Sequence, residues 1–274
     1  MERRAFLATG ASLLATPAFA QAPACVQVIP NGELVKAGTL TMSTNPTLPP
    51  MQFVDSTGTL KGMRVELGTE IARRLCLQAE HVRVEFAAMI PGLAARRWDM
   101  INTGMFYTEE RQRLMYLVRY EQQAISVSVP NGNPRNITKV DDLAGLRVGV
   151  EQGGFEFRRT TDMSNDLRAK GLAPLQIRAF DNFAVSFQAL RAGQLDAAIS
   201  IDSTAKEYQD RGDFTRAISG LYGTPINFGF RSKLLAEGVA SVLTAMKADG
   251  SFQALLDRYG VTPYDGPFEV VGPA

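Results

Sequence analysis

The sequence is poor in the residues that most often carry chemistry on their own. It has one histidine (His81), one tryptophan (Trp98) and two cysteines (Cys25 and Cys76) in 274 residues. A lone histidine and two distant cysteines form no constellation with metal-ligand spacing, so neither a metal nor a cofactor is expected. Glycine clustering after the relevant strand is limited to Gly153-Gly154, short of a phosphate-binding loop or a dinucleotide fingerprint. Excess charge is missing as well: the formal net charge is +1 and there is no basic run. That balance argues against nucleic acid or an anionic membrane surface as the main partner. No stretch is apolar for long enough to span a bilayer, and there is no long repeat or low-complexity linker.

The N-terminus is present but does not read as part of a fold. Arg3-Arg4 open it, an apolar run follows from Phe6 to Ala15, and Ala18-Phe19-Ala20 fits an A-x-A cleavage site. Residues 1–20 are therefore expected to be a signal peptide that is removed on export to the periplasm. Arg3-Arg4-Ala5-Phe6-Leu7 is also compatible with the twin-arginine route. Loss of Glu2, Arg3 and Arg4 brings the formal charge from +1 to zero. In an exported chain a Cys25–Cys76 disulfide is permitted, tying the N-terminal segment to the helix around Arg73-Arg74-Leu75; two free thiols are the alternative. A lipidated Cys25 would want a leucine three residues earlier, where Ala22 stands.

The remaining chain alternates strand and helix patterns. Leu40 to Thr44 alternates as a strand, and Asn45 to Pro50 breaks it. Leu67, Ile71 and Leu75 mark an amphipathic helix within 63–77, and Val82, Val84 and Phe86 mark a half-buried strand. A helix with Ile90, Leu93 and Ala94 facing inward follows. After the break at Pro130 to Pro134 the rhythm restarts with strands at 146–150, 177–180, 195–201 and 226–230. Two closing helices stop at Asp249-Gly250 and Gly260. Such alternation indicates an α/β fold with a largely parallel sheet.

The stretch that organises the rest is Trp98 to Arg113. Asp99 to Asn102 reads as the end of a buried strand, Thr103-Gly104 as a turn, and Thr108-Glu109-Glu110 as a helix start with a Thr N-cap. Arg111 then lies about one turn into that helix. An arginine fork there suits a carboxylate; a surface pair with Glu110 or another acid is the alternative. Glu151 and Glu156, flanking a later helix start, read as solvated or helix-dipole residues. His81 reads as a surface residue and Trp98 as core.

The motifs together resemble the family 3 periplasmic solute-binding proteins, the amino-acid receptors of ABC importers. Pro49-Pro50-Met51-Gln52-Phe53-Val54-Asp55 is similar to that family's opening, and Gly62 to Leu67 to its first helix start. Phe86 to Leu93, Trp98 to Arg111, Asp141 to Gly145 with Val148-Gly149-Val150, and Gly193 to Ala197 follow in the family's order. The resemblance implies a type II two-lobed periplasmic-binding-protein fold. Lobe 1 would be residues 36–122 plus 228–274 and lobe 2 residues 126–223, with crossover hinges near Gln122-Gln123 and Pro225-Ile226. It implies a monomer that clamps a small carboxylate-bearing solute, an amino acid above all, and hands it to an inner-membrane permease.

Carried over by position, the resemblance makes Arg111 the carboxylate grip. Gly104 and Phe106 supply main-chain groups, Gly154 and Phe155 the lobe 2 helix start, and Phe86 a packing ring. Asn45 stands where the family often has an acid and Leu48 where it often has an aromatic; Phe106 and Phe155 replace small hydroxyl residues. Leu48, Phe86, Met105, Phe106 and Phe155 imply an apolar pocket. The acid for the amino group would be Asp202, one residue beyond the family's offset, where Ile201 stands. A one-residue bulge would aim Asp202 into the cleft; otherwise it faces solvent or caps the next helix. Other readings of the same scaffold are a cyclohexadienyl-dehydratase-like enzyme, with Asp202 or Glu156 as general acid, and a ligand-sensing accessory subunit.

Overall fold

A computed structural model describes residues 25–273; the expected signal peptide lies outside them. The first half of the chain forms β1 (Thr39–Thr44), β2 (Thr47–Leu48), β3 (Gln52–Val54), β4 (Leu60–Lys61), α1 (Met63–Arg74), β5 (Gln78–Arg83), α2 (Phe86–Ala94), β6 (Met100–Phe106), α3 (Glu109–Leu114) and β7 (Tyr116–Val129). The second half forms β8 (Arg147–Glu151), α4 (Phe155–Ala169), β9 (Gln176–Phe180), α5 (Phe183–Arg191), β10 (Ala197–Ile201), α6 (Asp202–Asp210), β11 (Thr215–Phe230), α7 (Lys233–Ala248), α8 (Ser251–Arg258), β12 (Thr262–Pro263) and β13 (Val270–Val271). One sheet runs β5-β1-β6-β11-β7-β10-β8-β9, with β12 and β13 also paired to β7.

The parallel pairs β1–β5, β1–β6, β8–β9 and β10–β8 lie at the two ends of this order. Between them the long antiparallel strands β7 and β11 are shared, pairing Gln122 with Pro225 and Glu121 with Ile226. The register of β11 on β7 shifts repeatedly between Arg216 and Asn227, and such irregularities bend and twist a ladder. The result is the two-lobed α/β architecture with two crossover strands. The Pro130 to Pro134 break is a turn that follows the end of β7.

Among the described residues, three of the eight α-helices start on a side-chain cap. The Thr108 hydroxyl accepts the Arg111 N–H at 3.1 Å, Asn182 accepts from Val185 at 3.0 Å and Ser232 from Leu235 at 3.1 Å, each capping a helix. Two expectations are corrected. Phe86 does not end a strand but begins α2, because the chain turns at Glu85. Thr103-Gly104 is not a turn: β6 continues to Phe106, since Met105 and Phe106 pair with Asn227 and Ile226 of β11.

Cys25 and Cys76 are joined by a disulfide that spans 51 residues. Trp98 is core, with its indole N–H donating to Met89 O at 3.1 Å. His81 is half-buried on β5 and lies 3.3 Å from the Thr69 hydroxyl. No helix among the described residues is long and apolar enough to cross a membrane.

Candidate functional site

The N-cap at Thr108 fixes α3 at the end of β6 and turns Arg111 back toward that strand. Its Nη1 donates to Phe106 O at 2.7 Å, and its guanidinium lies 5.2 Å from the Phe86 ring centre. Arg111 is only 7 % exposed, yet among the described residues it forms no ion pair. Glu110, its neighbour in sequence, pairs instead with Arg158 of α4, across the cleft. Burial lowers the Arg111 pKa to about 10. A guanidinium desolvated this far, with most of its donors unused, is poised for an anion.

Several of the predicted site residues gather around it. Phe106 of β6 packs on Phe155 at the start of α4, with ring centres 4.8 Å apart. Gly104 lies in close approach rather than in a turn. A Cβ there would overlap Ile201 Cδ1 and come within 3.2 Å of Arg64 Nη1 and 3.5 Å of Leu48 Cδ1. Leu48, Phe86, Phe106 and Phe155 are all buried. Met105 alternates to the opposite face of β6 and joins the lobe core with Met89, Trp98 and Met115.

Lobe 2 brings acids rather than hydroxyls. Glu151 ends β8 and Glu156 lies in the first turn of α4, and they are 2 % and 3 % exposed. Neither is solvated, and Glu156 takes the helix-dipole place that the sequence offered as the other reading. Asn45 Nδ2 reaches from the other lobe to donate to Glu151 Oε1 at 2.6 Å. A Cβ on Gly154 would lie 2.6 Å from Glu156 Oε2, so this carboxylate curls back over the N-terminus of its own helix. Burial raises the Glu156 pKa to about 7, partly opposed by its own backbone N–H and by Arg111 and Arg64. Burial, then the neighbouring Glu156 charge, raises Glu151 well above the usual carboxylate range. Sequence reasoning missed these two as interior residues; a charged pair flanking a glycine turn gives no sign of what a second lobe will cover.

Asp202 opens α6 and accepts hydrogen bonds from the Ser126 hydroxyl and from the Gly220 N–H, the latter at 3.2 Å. It borders a cavity of about 320 Å³ on the hinge side, with Gln123, Lys206 and Arg216. A second cavity, of about 570 Å³, opens beside Phe155 and is lined by Tyr107, Arg113, Arg158, Arg159 and Tyr222.

Buried aromatic rings beside a guanidinium with unused donors suit a small anionic solute. Residues 40–262 match the bacterial extracellular solute-binding proteins, family 3. The chain belongs to that family. The histidine-binding periplasmic protein of Escherichia coli (strain K12) is 28% identical over 260 residues, covering 90% of this chain and 95% of the relative. The L-cystine-binding protein of the same strain is 26% identical over 227 residues, covering 81% and 82%. Among solved structures, an ancestral arginine-binding protein bound to arginine superposes with a TM-score of 0.73 at 28% identity, covering 81% of this chain and 98% of that one. These family 3 relatives are binding proteins rather than enzymes, and solute binding is the function of this family 3 chain too.

Proposed function

We propose that this protein is the periplasmic receptor of an ABC importer and that it closes on an amino acid whose carboxylate is gripped by Arg111. The observation that carries the reading is the Arg111 guanidinium, buried beneath Phe86 with one carbonyl partner and no ion pair among the described residues. Gly104, Phe106 and the Gly154-Phe155 helix start would supply main-chain groups around the same carboxylate, while Leu48, Phe86, Phe106 and Phe155 pack on the ligand side chain. The histidine-, cystine- and arginine-binding relatives support an amino acid as the class of solute. The apolar walls favour one with a nonpolar or aromatic portion. In this reading the lobes are residues 36–122 plus 228–274 and residues 126–223, and they open by bending where β7 and β11 pair at Gln122 and Pro225. Residues 1–20 are removed on export, and a monomer delivers its cargo to a membrane permease.

The test is a thermal-shift screen of the mature protein against the common L-amino acids, L-ornithine and L-cystine, with mass spectrometry of any solute that co-purifies. For the best binder, Arg111→Ala should weaken affinity about ten- to a hundred-fold, the cost of roughly 1.5–3 kcal/mol for a charged hydrogen-bonded partner. Its melting temperature without ligand should not fall. Unchanged affinity would remove Arg111 from the site.

A further inference from the structure

The cavity of about 570 Å³ beside Phe155 is separate from the carboxylate grip, since Arg111 is not in its wall. Tyr107 and Arg113 come to it from around α3, and Phe155, Arg158, Arg159 and Tyr222 from α4 and β11. Arg159 is the fixed cation of this wall. Its guanidinium lies 4.9 Å from the Phe155 ring centre and 5.2 Å from that of Tyr222. Such stacking holds a planar fork in place before any anion arrives. Its Nη1 pairs with Asp162 at 3.0 Å, and no other nitrogen of the guanidinium has a protein partner among the described residues. Arg113 is exposed and forms no ion pair among the described residues. Two acids share the wall, of which Glu110 is held by Arg158. Three arginines against Glu109 and Glu110 leave the lining an excess of one positive charge. The backbone of Tyr222 is the second observation. Its φ is +52°, in the left-handed region that a bulky side chain rarely adopts and that costs conformational energy. The residue lies where the register of β11 on β7 shifts, between Leu221 and Thr224. Glycine would take that turn without strain, yet a tyrosine stands there with its ring against Arg159.

With the lobes divided as proposed above, we propose that this cavity is a second solute site and that it takes a small aromatic carboxylate. The carboxylate meets Arg159, with Arg113 as the further cation of the wall, and the ring packs among Tyr107, Phe155 and Tyr222. A planar carboxylate matches a planar fork, an excess of one positive charge suits a monoanion, and three rings suit an aromatic body. The walls come from α3 in one lobe and from α4 in the other, so an occupant bridges them. Its binding and closure of the lobes then favour one another, and by linkage it does not oppose the solute on Arg111.

The experiment is a ligand-observed NMR titration of the mature protein with indole-3-acetate, against acetate (the charge without the ring) and indole (the ring without the charge). Indole-3-acetate should bind wild type about tenfold or more tighter than either fragment. Arg159→Gln should weaken it about tenfold, the size of one charged partner lost, and Arg111→Ala should leave it within about threefold. Tyr222→Gly should weaken it several-fold while the melting temperature without ligand does not fall, because glycine relieves the strained φ. Should Arg159→Gln fold poorly, Tyr222→Gly and Arg111→Ala decide. Indole-3-acetate that binds no tighter than acetate or indole, or binds Tyr222→Gly as it binds wild type, would overturn the second site. So would a loss in Arg111→Ala in place of Arg159→Gln, which puts the probe in the amino-acid site. The best binder from the amino-acid screen should keep its affinity when indole-3-acetate is saturating; a fall means that the two compete for one site and overturns the inference, leaving the receptor reading intact. A screen with no amino-acid binder defeats the receptor reading and leaves the comparison of variants with indole-3-acetate to decide this one.

Discussion

Two buried arginines, Arg64 and Arg111, have surroundings that differ in kind. Arg64, on α1, is 0 % exposed, and each of its three nitrogens donates a hydrogen bond. Its Nη2 pairs with Glu121 at 2.6 Å, Nε donates to the Tyr120 hydroxyl at 2.8 Å, and Nη1 donates to Gln52 at 2.7 Å. Gln52 in turn donates to the Thr103 hydroxyl at 2.8 Å. That network ties α1, β3, β6 and β7 together directly beneath the crossover. Arg111, on α3, has one carbonyl and one ring. Every nitrogen of Arg64 has a protein partner, whereas the Arg111 side chain has one, the Phe106 carbonyl, among the described residues. Both are desolvated, so burial by itself does not tell a scaffold charge from a binding charge; the count of satisfied donors does.

The comparison can be broken most forcefully at Arg64. Arg64→Met should lower the unfolding free energy by about 3–5 kcal/mol, since it strands the Glu121 carboxylate in a dry site. Denaturant titration measures this. A loss no larger than that of Arg111→Ala would mean the two arginines are alike after all. Restoring neutrality with Glu121→Gln in the Arg64→Met background should recover part of the loss.

The next effect follows pH. The folded-state pKa of Glu156 is raised from 4.5 to about 7, so the folded protein holds the proton more tightly than the unfolded chain does. The stabilisation is fully present below pH 4.5 and is lost as the pH rises through 7. Its upper bound is about 3 kcal/mol, since a tenfold change in proton affinity is worth roughly 1.4 kcal/mol. Unfolding curves between pH 4.5 and pH 8 should therefore fall more steeply for wild type than for Glu156→Gln. Parallel curves would show that Glu156 titrates as an ordinary surface acid.

The smallest effect belongs to an exposed arginine. Arg158 pairs with Glu110 between the lobes, and both side chains are more than half exposed. Glu110→Gln should leave the melting temperature unchanged, and any effect on ligand affinity should vanish in added salt. A shift rivalling that of Arg64→Met would sink the ranking by burial and saturation.

Much of the order of strands and helices was legible because it is written in local chemistry. Leu67 and Ile71 mark the buried face of α1, Thr108 caps α3, and Gly250 and Gly260 follow the last two helices. Arg111 was legible too, from its place after a Thr N-cap and two acids. The Cys25–Cys76 bridge followed from an exported chain with one possible partner for each thiol. Local chemistry could not show that Thr103-Gly104 stays in a strand, because the pairing of β6 with β11 joins residues more than a hundred positions apart. Nor could it show what closes over Glu151 and Glu156, or that Asp202 turns to Ser126 and Gly220. The sequence by itself determined most of the helices, several strands and the family, which are written in short local motifs. Which charges are paired, which are stranded and which face the cleft was decided only when two lobes were brought together, because desolvation depends on what lies across space, not along the chain.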